Sequence, residues 1–241
     1  MKKKMLYISV YDPHVPYTGA GVRGGEFVTN LAKRFDLDLI YMEGSGHPGD
    51  PELEDKFEWR VKGVNRKIKI PFSLRNYFIY SKQMLLEAEN LISQRKYDVV
   101  LTDYGLSAIY GLKIQKKYGI PFVYCSHNLE FKQYLGKAKN DKRRYVLVPW
   151  VYYVEKQGVK KCSLLVPISE SEADYYTRWT SRDKMHVVPQ CFNEEIFHPH
   201  YDPPKNEPKI VLFFGNYNIV TNREAVYAAR DKVVDKVVQQ Y

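Results

Sequence analysis

Residues 120–130 constrain the fold of this chain more than any other stretch. Residues 120–125 are almost entirely apolar, which predicts a strand buried on both faces of a parallel sheet. The stretch then turns polar at His127, Asn128 and Glu130. Because open parallel sheets bind ligands beyond the carboxyl ends of their strands, we expect the chemistry there. The alternative is that His127 only hydrogen-bonds a neighbouring carbonyl.

Further apolar runs repeat this pattern and alternate with segments of helical periodicity. They cover residues 5–10, 37–42, 98–102, 163–168 and 185–188. Strands alternating with helices predict an α/β fold, with a Rossmann-like parallel sheet flanked by helices. Asp103 and Tyr104 follow one of these strands, so they should face the same cleft as His127. Asp103 could instead be the N-cap of the next helix.

A glycine-rich segment follows the first strand. We expect residues 11–25, which contain Gly19, Gly21 and Arg23, to form a loop before a helix. Glycines let the backbone approach a ligand, and the helix N-terminus would attract an anion, with Arg23 as a fixed cation. The glycine spacing also matches a dinucleotide-binding fingerprint, with Glu43 as its acidic partner. The loop before the glycines is too long for that fingerprint, so we do not favour NAD binding.

Composition limits the class of protein. With 241 residues, 44% of them hydrophobic, the chain can bury a full core. Cys125, Cys162 and Cys191 show no paired spacing, which indicates a reducing compartment and argues against a disulfide or zinc framework. We recognise no signal peptide and no apolar run long enough to span a membrane, and therefore expect a cytoplasmic protein.

Residues 131–161 combine nine Lys and Arg with two acidic residues, Asp141 and Glu155. The aromatic residues among them are Tyr134, Tyr145, Trp150, Tyr152 and Tyr153. This mixture suits peripheral contact with an anionic membrane surface, on the inner face of the membrane. It suits equally a solvated helix whose aromatic rings pack inward. The net charge of +9 would also attract nucleic acid, but without a recognition motif we expect none.

Residues 201–208 are rich in proline and charge and predict a linker. The strand and helix that follow cannot alone bury both faces of so apolar a strand. We therefore expect one domain over residues 1–200 and the truncated start of a second over residues 209–241. Its open edge could pair with a second molecule, giving self-association.

Five short motifs occur in an order that resembles the GT-B glycosyltransferases, in particular the retaining family 4, which uses nucleotide-sugar donors. The motifs are Gly19-Ala20-Gly21-Val22-Arg23, His127-Asn128-Leu129-Glu130, Val166-Pro167-Ile168-Ser169-Glu170, Val187-Val188-Pro189 with Phe197-His198-Pro199, and Phe213-Phe214-Gly215 with Thr221-Asn222. The chain looks like the N-terminal, acceptor-side half of such a protein. One departure is Gln190-Cys191-Phe192, where the family usually has Asn-Gly-Val.

The resemblance implies hexose transfer from a nucleotide sugar to a hydroxyl of a carbohydrate or lipid-linked acceptor, with retention and without a metal or other cofactor. It implies that His127 is catalytic. The implied donor-binding residues are Gly19, Gly21, Arg23, Gly215 and Asn216, and the implied acceptor-binding residues are Asp103, Tyr104, Asn128 and Glu130. Without a complete donor domain, we expect this chain to be inactive alone. The alternative is a non-catalytic Rossmann-like module that binds a phosphorylated or nucleotide ligand.

Overall fold

The structure is a computed structural model, and its contacts divide the chain into two units, Met1–Phe197 and His198–Tyr241. It describes residues 2–13, 19–43, 61–65, 80–191, 215 and 220–234. The predicted linker over residues 201–208, the strand after it and Asn216 lie outside these residues. The predicted domain boundaries therefore stay predictions.

The first unit is built on a six-stranded parallel sheet with the order β3-β2-β1-β4-β5-β6. Its strands are β1 Lys4–Ser9, β2 Asp36–Glu43, β3 Val61–Asn65, β4 Val99–Asp103, β5 Phe122–Cys125 and β6 Leu164–Val166. The strand order reverses between β1 and β4, which is where sheets of this type bind ligands. The predicted α/β fold is confirmed.

Helices connect these strands, and no helix of the described residues is long and apolar enough to cross a membrane. The α-helices of the first unit are α1 Gly19–Ala32, α2 Lys82–Gln94, α3 Ala108–Tyr118, α4 Glu130–Asn140, α5 Val148–Lys161 and α6 Glu170–Tyr176. Short 3-10 helices span Gly105–Ser107, Lys142–Val146 and Arg182–Lys184. In the second unit, the structure describes Gly215, helix α7 Val220–Ala229 and a π-helical turn Arg230–Val234.

Both faces of the sheet are buried. In β1, Leu6 and Ile8 join the hydrophobic core that includes residues of α2 and α3. Met5 and Tyr7 join the core on the opposite face, which includes Val28 of α1. Successive residues of a strand point to opposite faces, so a strand covered on both sides is apolar at most positions. This is why the strands read as continuous apolar runs.

The prediction of a loop through residue 25 is wrong, because α1 already begins at Gly19. Close packing explains the glycines there. A Cβ atom on Gly25 would lie 2.8 Å from the carbonyl oxygen of Pro13, and one on Gly24 would lie 3.6 Å from the Pro13 side chain. The small residues therefore let α1 lie directly against the chain that leaves β1. Residues 14–18 of the predicted loop are outside the described ranges.

Candidate functional site

The carboxyl ends of four strands are in register at one edge of the sheet. Ser9 pairs with Asp103, Asp103 with Cys125, and Cys125 with Val166. The segments that follow β1, β4, β5 and β6 therefore begin side by side. This is the edge at which the sequence predicted the site.

His127 and Asp103 form a buried pair at this edge. The distance between His127 Nε2 and Asp103 Oδ1 is 2.8 Å, and the two residues are 6% and 1% exposed. An ionised carboxylate only accepts hydrogen bonds, so Nε2 donates, and a neutral imidazole presents Nδ1 as an acceptor. The side chain of Asp103 thus orients the imidazole of His127. When protonated, that ring can stabilise negative charge that develops on a bound group.

Helix α1 approaches this pair from the neighbouring segment. A Cβ atom on Gly24 would lie 3.4 Å from Asp103 Oδ2. Gly21 is buried, whereas a Cβ atom on Gly19 would have no described heavy atom within 4 Å. The Gln190 side-chain amide donates a 3.1 Å hydrogen bond to the Gly19 carbonyl. The first turns of α1 and His127 therefore share one edge, and the N-terminal N–H groups of a helix suit an anion.

Arg23 lies on α1, and its side chain is completely buried. Its two terminal nitrogens donate to the carbonyls of Ser126, at 3.0 Å, and Val188, at 2.8 Å. Its guanidinium carbon also lies 4.8 Å from the ring centre of Phe27. Arg23 thus ties α1 to the residue before His127 and to the segment that follows the 3-10 helix Arg182–Lys184. Its Nε alone has no hydrogen-bond partner among the described residues.

Tyr104 holds a strained position beside His127. Its φ of 70° is in the left-handed region, which is unfavourable for a bulky side chain. Its ring centre lies 4.3 Å from that of Tyr11 and 4.8 Å from that of His127. Burial raises the pKa of Tyr104 well above its usual value, so the phenol stays protonated. The ring therefore forms one wall around the imidazole.

Glu130 lies deeper than the sequence suggested. It begins α4, is 1% exposed, and its carboxyl carbon lies 3.3 Å from a Cβ position built on Gly105. Burial, followed by the charge of Glu155, raises the pKa of Glu130 to about 8. Its Oε1 atom has no hydrogen-bond partner among the described residues. Asn128, by contrast, is only half-buried.

A protein-family model matches most of this chain. The model named Glycosyltransferase Family 4 matches residues 17–196, which include α1, Asp103 and His127. The chain belongs to Glycosyltransferase Family 4. The resemblance inferred from the motifs is confirmed.

Solved structures show the same fold. Sucrose-phosphate synthase from Thermosynechococcus elongatus is 18% identical with a TM-score of 0.54, covering 83% of this chain and 51% of its own. Anabaena HepE in complex with UDP and glucose is 14% identical with a TM-score of 0.51, over 80% and 46% of the two chains. A UDP-glucosyltransferase from Polygonum tinctorium is 11% identical with a TM-score of 0.51, over 85% and 56%.

These identities establish only the fold, and this family 4 chain spans about half the length of the structures that it matches. A search of curated proteins found no match. The donor-binding residues predicted in the second unit are Gly215, which is half-buried, and Asn216, which lies outside the described residues.

Two buried glutamates that the sequence analysis did not assign to the site bind the chain on either side of His127. The first is Glu155 of α5, whose carboxylate accepts hydrogen bonds from the backbone N–H groups of Glu130, at 2.9 Å, and Phe131, at 3.1 Å. The Tyr176 hydroxyl donates a third bond, at 3.0 Å. Glu155 therefore caps α4 from a different helix. The available signal was its position in the apolar stripe of α5, four residues from both Val151 and Val159.

The second is Glu172. Its Oε2 accepts from the Ser126 hydroxyl, at 2.8 Å, and from the Ile168 backbone N–H, at 2.9 Å. Its own N–H donates to Ser169 Oγ at 3.2 Å, so Ser169 is an N-cap. The carboxylate of Glu172 thus binds the residue immediately before His127. Burial raises the pKa of Glu172.

The buried glutamates predict that the chain becomes less stable as pH rises. The pKa of Glu130 is about 8 in the folded protein against 4.5 when unperturbed, so the folded state keeps a proton that the unfolded state releases. Stability should therefore fall from pH 4.5 to about 8 and then level off, with Glu130 contributing on the order of 5 kcal/mol. Urea unfolding across this range would measure it.

The matched variant for this pH dependence is Glu130→Gln, which keeps the shape of the side chain but cannot ionise. We expect it to flatten the decline and to be more stable than the parent at pH 8.5. An unchanged slope in this variant would show that folding does not raise the pKa of Glu130.

Proposed function

We propose that this chain is the acceptor-side half of a retaining glycosyltransferase. It would help transfer a hexose from a nucleotide sugar to an acceptor hydroxyl. The observation that carries the proposal is the buried His127–Asp103 pair beside the N-terminal turns of α1. Membership of family 4 supports glycosyl transfer as the class of reaction.

In this proposal, the side chain of His127 contacts the donor sugar or the reacting groups. Asp103 fixes the orientation of the ring through Nε2, so that the other nitrogen, Nδ1, is directed at the bound group. The N-terminal end of α1, which carries a partial positive charge, faces the negative charge of the donor diphosphate. Arg23 supplies positive charge from behind the helix while it holds α1 in place.

The acceptor would lie beside Tyr104 and Asn128, which border His127 at the same edge. Glu130 would act from beneath them, because it is buried against the backbone at Gly105. We propose a carbohydrate or lipid-linked acceptor. A cytoplasmic location suits a nucleotide-sugar donor and the three free cysteines, Cys125, Cys162 and Cys191.

The donor half of the cleft would come from a complete second domain, in which Gly215 and Asn216 approach the nucleotide. Because this chain spans about half of the structures that it matches, we propose that it does not turn over alone. That coverage also favours the second candidate function, a non-catalytic module that binds a nucleotide or phosphorylated ligand. We also propose that two copies of the chain pair through the second unit.

The experiment is to incubate the chain with a panel of nucleotide sugars, with and without a donor-binding domain supplied from a family 4 protein. We expect release of the nucleoside diphosphate only in the combined sample, and an α-linked product from an α-linked donor. Binding without turnover in both samples would favour the binding module instead. Release by the donor domain alone at the same rate would contradict a role for this chain.

A further inference from the structure

An exposed surface on α4, α5 and the 3-10 helix between them has no role in the proposed reaction. Large hydrophobic side chains are exposed there: Leu135 by 38%, Tyr145 by 45%, Val146 by 81% and Tyr153 by 60%. Of eight such side chains described in residues 1–197, these four include the two most exposed. We call this surface the basic-apolar face and define it as the exposed side chains of the described residues within 131–161.

The fold does not need these four side chains for its core. Other aromatic residues of the same segment pack inward, as one of the two sequence hypotheses expected. Tyr134 is 4% exposed, and the ring of Tyr152 lies 5.4 Å from the rings of both Phe131 and Trp179. Tyr145 and Tyr153 do not follow this pattern, so their exposure requires another explanation.

Exposed residues form a continuous stripe along one side of α5. On α5 and the turn before it, Val146, Pro149 and Tyr153 are separated by three and four residues, and Lys160 follows seven later. Residues at these intervals lie on one side of a helix. The stripe is thus apolar near the turn that joins the two helices and cationic further along α5.

The basic-apolar face has almost no compensating negative charge. Residues 131–161 contain nine Lys and Arg but only two acidic residues. Glu155 is completely buried, and Asp141 accepts a 2.9 Å hydrogen bond from Arg143 and lies 3.5 Å from Arg144. Among the described residues of this segment, each carboxylate is therefore either buried or paired with arginine. The complementary partner is an extended anion with an apolar interior.

We propose that the basic-apolar face binds the surface of an anionic lipid bilayer. Val146, Tyr145 and Tyr153 would enter the headgroup region, where tyrosine rings are favoured, while Lys139 and Lys142 meet anionic headgroups. Nucleic acid fits less well, because it offers no apolar layer for an 81% exposed valine. This inference does not depend on glycosyl transfer.

The test is co-sedimentation of the chain with vesicles of phosphatidylcholine, with or without about 30% phosphatidylglycerol as the anionic lipid. We expect binding to the anionic vesicles that weakens with salt, and little binding to phosphatidylcholine alone. Each cation removed should weaken binding about five-fold, and charge reversal should weaken it further. Lys139→Glu with Lys142→Glu, and separately Val146→Ser with Tyr153→Ser, should each reduce binding at least about ten-fold.

Matched controls use exposed residues elsewhere on the first unit. Lys82→Glu with Lys116→Glu makes the same change in net charge, and Leu86→Ser removes a 47% exposed leucine. Circular dichroism would show that all variants fold. The proposal is overturned by equal binding to both kinds of vesicle, by controls that weaken binding as much as the test variants, or by no binding. It is also overturned if the face instead mediates a dimer or binds DNA more tightly than vesicles.

Discussion

Glycosyl transfer should fall about 10²–10³-fold when His127 is replaced by alanine in a protein that contains both halves of the cleft. The imidazole is held by Asp103 at 2.8 Å and borders the ring of Tyr104, so its removal leaves a gap at the centre of the proposed site. The measurement is kcat and KM for nucleoside diphosphate release. We expect the loss mainly in kcat, because an imidazole held in a fixed orientation acts on charge that develops during the reaction.

The matched control for this prediction is Asp103→Asn. It keeps the size of the side chain, but its amide can donate to the ring and permit the other tautomer. We expect a smaller loss than for His127→Ala if Asp103 only orients the ring. Thermal unfolding of both variants would separate lost chemistry from lost structure. Turnover close to the parent in a folded His127→Ala variant would refute the catalytic role.

Replacing Arg23 with alanine should destabilise the first unit by about 3–5 kcal/mol. The change leaves a large cavity and removes both donors from the carbonyls of Ser126 and Val188, which are buried or half-buried. Urea unfolding would measure the loss. Arg23→Lys should recover only part of it, because an ammonium cannot reproduce the two-pronged guanidinium geometry.

Arg34, an exposed arginine just after α1, provides the control. Arg34→Ala should change stability by less than about 0.5 kcal/mol. If Arg23→Ala were equally mild, the buried guanidinium would not be what joins α1 to the segment before His127. Arg23 would then act mainly through its charge, as the sequence first suggested.

The sequence was informative where local pattern decides structure. The apolar run that became β5 predicted a strand covered on both faces, and its polar end was expected at the carboxyl edge. The same reasoning applied to β4 placed Asp103 near His127. The register of the parallel strands then brought the two side chains into contact without further information.

The glycine-rich segment shows where local pattern was insufficient. Glycine and proline signals favour a loop there, but α1 begins at Gly19, and its Gly24 and Gly25 pack closely against Pro13 and Asp103. Helix propensity is a weak preference that tertiary contacts can override. The glycine-rich residues therefore form a helix that packs closely against the candidate site.

By itself, the sequence determined the α/β fold and the resemblance to family 4, and it predicted the sheet edge at which the candidate site lies. These follow from the periodicity of apolar residues and from short motifs, which are local properties of a chain. Only the tertiary structure decided that Arg23 is buried, that Glu155 caps α4 and that Tyr153 remains exposed. Arg23 meets its two carbonyls 103 and 165 positions away, and contacts at such separations depend on how whole helices pack.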